Sequence, residues 1–376
     1  MRELKDIRKD IDAVDEQLIE LFKQRMNYQG EVALLKRDSD MEIIDPAREK
    51  AKISRALAIL DEPKFERPLQ ELFLQLMSLG RRYQYSIIKP VDNYIKDMFT
   101  LVKELPITDD TKVVYQGIPG AYQEEAMMQF FGKEIDNFFV PKFEDVLIAL
   151  DNGEADYGVL PIENSSNGTV SGIYDLLLKH DVCVVGEEKV HIKHMLAGLP
   201  DTDFDDVSTV YSHPQALAQC KPFLDFYNWG RAEAANTAIA AKKIKEEGNK
   251  RHLCICSEYA AKLYGLKIFA KEINHESNNV TRFVIFSKKK IFKKDASKLS
   301  ISFSLPHEIG SLHSILGHFM FNGVNMTNLE SRPLPGRQWE YGFYIDVQGN
   351  LTDPEVENAL SGIREEVHDF KILGNF

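Results

Sequence analysis

The stretch NNVTRFVIFSK, residues 278–288, opens with two asparagines and continues as an apolar run of the length of a strand. Thr281 and Arg282 stand at the start of that run. Short apolar runs bounded by polar residues are typical of strands that are buried in a sheet. A hydroxyl and a guanidinium at the start of a buried strand are unusual, so we expect each to have a structural or a chemical role.

The same pattern recurs through residues 112–288. Four segments read as strand, loop and helix: KVVYQGIPGAYQEEAMMQFFG, YGVLPIENSSNGTVSGIYDLLLKH, STVYSHPQALAQCKPFLD and HLCICSEYAAKLYG. This alternation predicts an α/β fold. In such folds ligands gather at the carboxyl ends of strands, beside helix N-termini that offer free N–H groups.

Residues 1–88 predict an all-α domain. Apolar residues recur at steps of four and three along the first segment, at Ile7, Ile11, Val14, Leu18 and Leu21. This spacing predicts an amphipathic helix from about residue 3 to 37, roughly 50 Å long. DPAREKAKISRAL opens a second helix with Asp45 as N-cap, and RPLQELFLQLMSLGRRYQYSI forms a third. A domain of about 90 residues has a radius of gyration near 12 Å, so we expect a second subunit to cover the long helix.

Two further regions complete the chain. Residues 89–111 carry prolines and mixed charge and predict a helical or irregular linker. Residues 298–376 read as strand, helix, strand, strand, helix and strand. That order, βαββαβ, is the ferredoxin-like arrangement.

Composition narrows the class of protein. The 376 residues are 44% hydrophobic and carry a formal net charge of -12. An acidic chain is not expected to bind nucleic acid or a membrane, because both need a basic face. The first residues are charged and predict a helix, not an apolar leader, so we expect a cytoplasmic protein. Four scattered cysteines, Cys183, Cys220, Cys254 and Cys256, predict buried free thiols.

Two cations fall on or near the apolar stripe of the first helix. Arg25 and Lys36 either extend their stems to water or bind an anion. The segment IRKDIDAVDEQLIELFKQR, followed by Lys36, DPARE and RRYQ, resembles the all-helical chorismate mutase domain, in which two chains intertwine around shared sites. The resemblance implies donors to the ether oxygen of chorismate at Lys36 and Gln84. It implies substrate binding by Arg8, which reaches into the partner's site, and by Arg25, Arg48, Asp45 and Glu49. Gly80 departs from the family, which often has a serine there.

The chemistry fits those residue types. The rearrangement of chorismate needs no nucleophile, only a compact conformer and donors aimed at an oxygen that gains negative charge.

The central region resembles prephenate dehydratase through YQGIPGAY, PIENSSNGTV, SHPQALAQC, NTAIAA and NNVTRFVIF. The resemblance implies a periplasmic-binding-protein-like domain at residues 112–288, with a second lobe inserted at about 190–274 and the site in the cleft. It implies that Thr281 is the catalytic residue and that Arg282 pairs with a carboxylate of the protein. Candidates for holding the substrate carboxylates are Asn164, Ser165, Ser212, Gln215 and Thr237. From the residues alone, each of these loops also fits helix capping.

The tail resembles an ACT regulatory domain of the kind that follows prephenate dehydratases and binds phenylalanine between two subunits. The motifs are HEIGSLHSILGHF and NMTNLESRP. The implied allosteric residues are Gly310, Ser311, Leu312, Asn325, Thr327, Glu330, Ser331 and Arg332. Ser311 replaces the alanine that is usual in this loop.

Together the resemblances imply an enzyme that converts chorismate to prephenate and prephenate to phenylpyruvate, with L-phenylalanine as inhibitor. It would use no cofactor and no metal, and would be a homodimer or homotetramer. Three alternatives stay open at this point: a dehydratase whose mutase domain is regulatory only, a dehydratase that takes arogenate, and a sensor that binds a small acid without turnover.

Overall fold

A computed structural model describes residues 2–39, 41–88, 97–170, 172–276, 278–334, 336–337 and 340–376. The chain forms two compact units. The first consists of Met1–Met98 and Ile301–Lys371, and the second of Phe99–Ser300 and Ile372–Phe376. In the described parts of the chain, no helix has the length and apolarity needed to cross a membrane.

The first unit begins with three helices, as predicted. These are α1 (Leu4–Asp38), α2 (Pro46–Ile59) and α3 (Glu66–Ile88). Asp45 caps α2 by accepting a hydrogen bond from the main-chain N–H of Arg48, and Pro46 occupies the first helical position. A 3₁₀ turn, Pro63–Phe65, leads into α3. Within α1, Ala33 is buried, whereas the stripe that the sequence predicts to be covered is 40–61% exposed in this single chain.

The second unit contains strands β1 to β13. They are β1 (Thr100–Val102), β2 (Lys112–Gln116), β3 (Asp136–Val140), β4 (Tyr157–Asn164), β5 (Gly168–Thr169), β6 (Cys183–His191), β7 (Met195–Gly198), β8 (Thr209–Ser212), β9 (Gly230–Glu233), β10 (His252–Cys256), β11 (Lys267–Ala270), β12 (Val280–Ser287) and β13 (Ile291–Lys293). Its helices are α4 (Tyr122–Phe131), α5 (Phe143–Asp151), α6 (Ile173–Lys179), α7 (Pro214–Gln219), α8 (Lys221–Leu224), α9 (Thr237–Glu247) and α10 (Glu258–Leu263).

Strand β1 corrects part of the linker prediction. Residues 89–96 of that linker lie outside the described residues. Thr100–Val102, however, is neither helical nor irregular, because it pairs in parallel with β13. A strand of three residues gives too short a pattern for sequence analysis to detect.

Most strands of the second unit lie in two sheets, and β1 and β13 form a separate two-stranded sheet. In the first, the strands follow the spatial order β6-β12-β4-β2-β3, and β12 runs antiparallel to both of its neighbours. The second follows the order β11-β7-β10-β8-β9. All strands of the second sheet come between β6 and β12 in the chain, so the chain leaves the first sheet, builds the second and returns. The domain and lobe bounds given above stay predictions.

The last six elements of the chain follow the predicted order βαββαβ. They are β14 (Lys298–Leu305), α11 (Ser311–Phe321), β15 (Met326–Pro333), β16 (Tyr341–Gln348), α12 (Pro354–Glu366) and β17 (His368–Asn375). The strands lie in the spatial order β15-β16-β14-β17, with β15 at the edge. Residues Ile301–Lys371 are called the C-terminal module below.

Candidate active sites

A cavity of about 500 Å³ lies in the second unit, between residues contributed by both of its sheets. Four residues predicted from the sequence line it: Asn164, Gln215, Thr237 and Thr281. They come from the end of β4, the starts of α7 and α9, and the start of β12. Carboxyl ends of strands and N-termini of helices thus meet at one cavity, as expected for an α/β fold.

A β-bulge aims the side chains of β4 and β12 into this cavity. Thr281 pairs with Asn164 and Phe283 pairs with Pro161, so β4 holds one residue more than β12 in this interval. Without the extra residue, Pro161 and Asn164 would face opposite sides of the sheet, because side chains alternate along a strand. With it, both line the cavity together with Thr281 and Phe283.

The amide of Asn164 fixes the hydroxyl of Thr281. Its Oδ1 accepts hydrogen bonds from the main-chain N–H groups of Ser166 (3.1 Å) and Asn167 (3.2 Å), which decides the orientation of the amide. Its Nδ2 then donates to Thr281 Oγ1 at 2.9 Å and to Asn279 Oδ1 at 2.7 Å. Because Thr281 accepts a bond from Asn164, its own proton is free to be donated to a ligand in the cavity. Asn279, buried and on the cavity wall, was not singled out from the sequence.

Arg282 lies on the other face of β12 and pairs with carboxylates of the protein. Its guanidinium is 3.3 Å from carboxylate oxygens of Glu163 and of Glu187. Burial would raise the pKa of Glu187, but the hydrogen bond and charge of Lys298 and the charge of Arg282 lower it. The predicted pairing of Arg282 with protein carboxylates is confirmed.

Two predicted serines do not line the cavity. Ser165 Oγ accepts a hydrogen bond from the N–H of Val280 and donates to the carbonyl of Asn278. Ser212 Oγ is fully buried and donates to the carbonyl of Ile255 at 2.8 Å. Both hydroxyls hold neighbouring chain segments together. The residues that cap α7 and α9 are His213 and Asn236, and these two do line the cavity.

His194 lines the cavity, although it was not selected from the sequence as a binding residue. Its ring is 2% exposed, and Nε2 lies 3.0 Å from Gln219 Oε1 while Nδ1 lies 3.3 Å from the Tyr122 hydroxyl. Burial lowers the pKa of His194 to about 4, so the ring is neutral at pH 7. A neutral imidazole can orient a ligand or a neighbour without adding charge to the cavity.

The first unit holds a second cluster, made of cations from α1 and α2. Lys36 Nζ donates to the carbonyls of Glu42 and Ile43, both at 2.7 Å, which leaves one of its three N–H groups for a ligand. Burial lowers the pKa of Lys36, while the nearby carboxylates of Asp45 and Glu49 raise it. Burial also lowers the pKa of Arg25, whose Nη1 is buried without a hydrogen-bond partner among the described residues.

Lys52 belongs to the same cluster, although sequence analysis did not select it. Burial lowers its pKa, and the charges of Arg25 and Arg48 lower it further. Several partly buried cations around one site are costly unless an anion joins them. The cluster therefore suits a ligand with more than one carboxylate.

Gln84 lies beside this cluster on α3 and is 5% exposed. Its Nε2 donates to Gln29 Oε1. A Cβ atom on Gly80 would lie only 3.0 Å from Gln29 Cδ, so the absence of a side chain at position 80 makes room for the Gln29 amide. Gln29 thus occupies the space beside Gly80 and holds Gln84.

Arg8 is not brought to this cluster within one chain. It is exposed and lies 17 residues before Arg25 on the same helix, which corresponds to roughly 25 Å. A contribution of Arg8 to such a site has to come from a second copy of the chain.

The predicted allosteric residues lie in two places in the C-terminal module. Gly310, Ser311 and Leu312 form the start of α11, and the other five lie on or just before the edge strand β15. Some of their polar atoms already have partners: Ser311 Oγ donates to the carbonyl of Glu308, Thr327 Oγ1 to the carbonyl of Asp346, and Asn325 Nδ2 to Gln348. Glu330 and Arg332 form an ion pair of 3.3 Å, and Ser331 lies between them on β15.

Two family models match this sequence. Chorismate mutase type II matches residues 7–85, and prephenate dehydratase matches residues 113–291. A bifunctional chorismate mutase/prephenate dehydratase from Stutzerimonas stutzeri is 32% identical over 383 residues, which cover 100% of this chain and 97% of that protein.

Solved structures are similar to about two thirds of the chain. The prephenate dehydratase of Arthrobacter aurescens in complex with L-Phe is 29% identical, with a TM-score of 0.66, and the match covers 70% of this chain and 89% of that one. A structure described as a novel type of quorum quenching acylase, GqqA, is 30% identical, with a TM-score of 0.65 and coverage of 70% and 97%. Because the match to a bifunctional relative runs through the whole chain, including both candidate sites, this chain belongs to the bifunctional chorismate mutase/prephenate dehydratase family.

Proposed function

We propose that this protein rearranges chorismate to prephenate in its first unit and converts prephenate to phenylpyruvate in its second. The observation that carries the second reaction is the hydroxyl of Thr281, held by Asn164 at the cavity wall. Loss of CO₂ and hydroxide from prephenate yields an aromatic ring, so the protein needs only to donate a hydrogen bond to the departing hydroxyl and to hold two carboxylates. Thr281 is the donor, and the free N–H groups at the starts of α7 and α9, with Gln215 and Thr237, hold the carboxylates.

The first reaction is carried by the cation cluster of α1 and α2. Arg25 and Arg48 bind the carboxylates of chorismate and fix its compact conformer. Lys36 uses its remaining N–H group, and Gln84 its amide, to stabilise the ether oxygen as negative charge develops there. Asp45 and Glu49 bind the substrate hydroxyl.

A second copy of the chain completes the mutase site in this proposal. The exposed apolar stripe of α1 supports it, since large apolar residues that are contiguous and exposed mark an interaction surface. Arg8 follows Ile7, the first residue of that stripe, and would enter the partner's site. The minimum assembly is then a homodimer, and a homotetramer is compatible with it.

The C-terminal module is proposed to be an ACT domain that binds L-phenylalanine and inhibits the enzyme. The N–H groups at the start of α11 would bind its carboxylate, and acceptors on β15 its ammonium group. Binding lowers activity only if phenylalanine prefers a state that binds or turns over substrate less well.

The test is to supply chorismate and prephenate separately to the purified protein and to follow phenylpyruvate, beside the Thr281→Val and Thr281→Ser variants. We expect phenylpyruvate from both substrates with the parent. Thr281→Val keeps the shape but removes the donor, so kcat on prephenate should fall by about 10²–10³, while chorismate is still consumed and prephenate accumulates. Thr281→Ser should retain more activity than Thr281→Val.

Other outcomes would select the alternatives. Unchanged chorismate with active prephenate turnover would leave the helical domain regulatory. Faster turnover of arogenate than of prephenate would change the substrate of the second site. If prephenate and arogenate both bind but neither is converted, the second unit is a sensor. A Thr281→Val variant with parental activity would remove the role of Thr281.

A further inference from the structure

Helix α3 contributes Gln84 to the mutase site and packs with its other face on the C-terminal module. Arg82 and Tyr85 are 2% and 1% exposed. Arg82 donates to the carbonyl of Ser314, and the Tyr85 hydroxyl lies 3.2 Å from a carboxylate oxygen of Glu365. Side chains 230–280 positions apart in the sequence are therefore in direct contact within this unit.

Glycines on the module make this packing possible. A Cβ atom on Gly317 of α11 would overlap the guanidinium of Arg82 at 1.8 Å. One on Gly362 of α12 would lie 2.5 Å from the ring of His318 and 3.2 Å from Tyr85. Both glycines lie at contacts with α3, where a larger residue would not fit. The interface is therefore closely packed.

Arg81 joins the two sides of this interface chemically. Its Nη1 lies 2.5 Å from Glu49 Oε1, in the cation cluster of the mutase site. Its Nε lies 3.0 Å from Oε1 of Glu366, at the end of α12. His318 Nε2 lies 3.2 Å from the same oxygen of Glu366. A guanidinium is planar and presents several donors, so it can hold two carboxylates in fixed positions at once.

The opposite charges of Arg81 and of its two glutamate partners keep these groups ionised. Burial would raise the pKa of Glu366, but its close contact with His318 and the charge of Arg81 lower it to about 2. Burial would lower the pKa of Arg81, but Glu366 and Glu49 raise it. Both groups are charged at neutral pH, and the side chains of Arg81 and Glu366 are only 13% and 8% exposed.

We propose that Arg81 is a positioning residue for the mutase reaction, which orients Glu49 toward the substrate, and that Glu366 of the C-terminal module anchors Arg81. This inference rests on the mutase activity proposed above. Arg81 occupies Oε1 of Glu49 and so turns Oε2 toward the hydroxyl of the substrate. It also prevents Glu49 from pairing fully with the neighbouring cations that must bind the substrate carboxylates.

The experiment measures kcat and KM for chorismate in the full chain carrying Arg81→Ala, Arg81→Lys, Glu366→Gln, or Arg81→Ala with Glu366→Gln. Arg67→Ala is the matched control, because it removes an exposed arginine from the same helix. Turnover of prephenate, supplied directly, reports on the integrity of the second unit. Unfolding midpoints report on stability.

We expect Arg81→Ala to lower kcat/KM for chorismate by roughly tenfold to a hundredfold, since misplaced catalytic groups cost on that order. Arg81→Lys should recover part of the loss, because a lysine keeps the charge but not the two-sided geometry. Glu366→Gln should reduce kcat several-fold, and the double variant should be no worse than Arg81→Ala, because both act through one contact. Arg67→Ala and prephenate turnover should stay within about twofold of the parent.

The following results would overturn the proposal, each for a different reason. A parent that leaves chorismate unchanged would refute the mutase activity itself, and this inference with it. An active parent with an unimpaired Arg81→Ala variant, or with additive effects of Arg81→Ala and Glu366→Gln, would refute the positioning role and leave the mutase activity standing. A lower unfolding midpoint with unchanged kcat would give Arg81 a structural role only.

Discussion

At the scale of single residues, the orientation of one amide decides where a proton can go. Two main-chain N–H groups bind Asn164 Oδ1, so its Nδ2 must face Thr281 Oγ1. The threonine oxygen is then an acceptor toward the protein and a donor toward the cavity. An isolated threonine hydroxyl is a weak acid, and this arrangement lets it contribute a directed hydrogen bond in place of a free proton.

Gly80 illustrates a departure from the family that the structure explains. A side chain at Gly80 would crowd the amide of Gln29, so Gly80→Ser should displace Gln29 and weaken its bond to Gln84. We expect a several-fold loss of mutase kcat, measured with chorismate. Adding Gln29→Ala to the same chain should return part of the activity, because it restores the space.

The control for that pair is turnover of supplied prephenate, which neither change should alter. Gly80→Ser with parental mutase activity would show that Gln29 does not hold Gln84 in a way that matters for the reaction.

His194 makes a prediction about pH. The pKa of its imidazole is 6.5 in an unfolded chain and about 4 in the folded chain, where Gln219, Tyr122 and His213 surround it. Between these values the unfolded chain holds more protons, so this residue makes the free energy of unfolding decrease as the pH falls from 6.5 toward 4, by up to about 3 kcal/mol. Denaturant unfolding of the parent should lose stability more steeply over this range than that of His194→Gln. His313→Gln, at an exposed position, is the control, and equal slopes for all three proteins would contradict the prediction.

At the scale of elements, periodicity and caps predicted most of what was found. The steps of four and three predicted α1, Asp45 predicted the start of α2, and apolar runs predicted the strands that carry the cavity. What the sequence could not predict depends on pairing between distant segments. The bulge opposite Arg282 exists only once β4 and β12 are in register, and β1 is a strand only because β13 is beside it.

The same limit applies to the sites. Thr281, Asn164, Gln215 and Thr237 were selected through their motifs, and all four line one cavity. His194, Asn279 and Gln29 were not selected, since each acquires its environment from residues far away in the chain. Lys52 was not selected either; of the charges around it, Arg48 and Glu49 are near in the sequence and Arg25 is not. Ser165 and Ser212 match the motifs as well as their neighbours do, and only the structure shows that their hydroxyls face the main chain.

The exposed stripe of α1 supports a prediction at this scale. Leu18→Glu places a carboxylate in its middle, and it should shift the protein from dimer to monomer, because burying an unpaired charge in an apolar interface costs several kcal/mol. Mutase activity should fall with it, and the loss should be greater at lower protein concentration. Sedimentation and chorismate turnover over a range of concentrations measure both effects.

Ala13→Glu adds the same charge to α1 about a third of a turn away from the stripe and should leave assembly intact. A Leu18→Glu protein that remains dimeric would show that another surface holds the copies together.

At the scale of the whole molecule, one chain combines two reactions and a proposed sensor, and the contacts indicate which parts communicate directly. Arg81 connects the mutase site to α12 of the C-terminal module through two ion pairs. Coupling between binding sites is reciprocal. If a ligand of the module changes the affinity of the mutase site for its own ligand by some factor, the mutase ligand must change the affinity of the module by the same factor. This interface is closely packed around Gly317 and Gly362 and contains buried charges. Such an interface allows few intermediate conformations, so we expect it to switch between two discrete conformations and not to deform gradually.

This coupling predicts that Glu366→Gln separates the two effects of phenylalanine. In the parent, phenylalanine should inhibit both reactions. In Glu366→Gln it should still bind and still inhibit prephenate turnover, but inhibition of the mutase should be largely lost, because Arg81 no longer responds to α12. Glu355→Gln, which removes an exposed carboxylate from the same helix, should behave like the parent. Calorimetric titration of phenylalanine with and without prephenate, in a Thr281→Val background that slows turnover, measures the reciprocal effect. Full inhibition of the mutase in Glu366→Gln would mean that the signal reaches the helical site by a route other than Arg81.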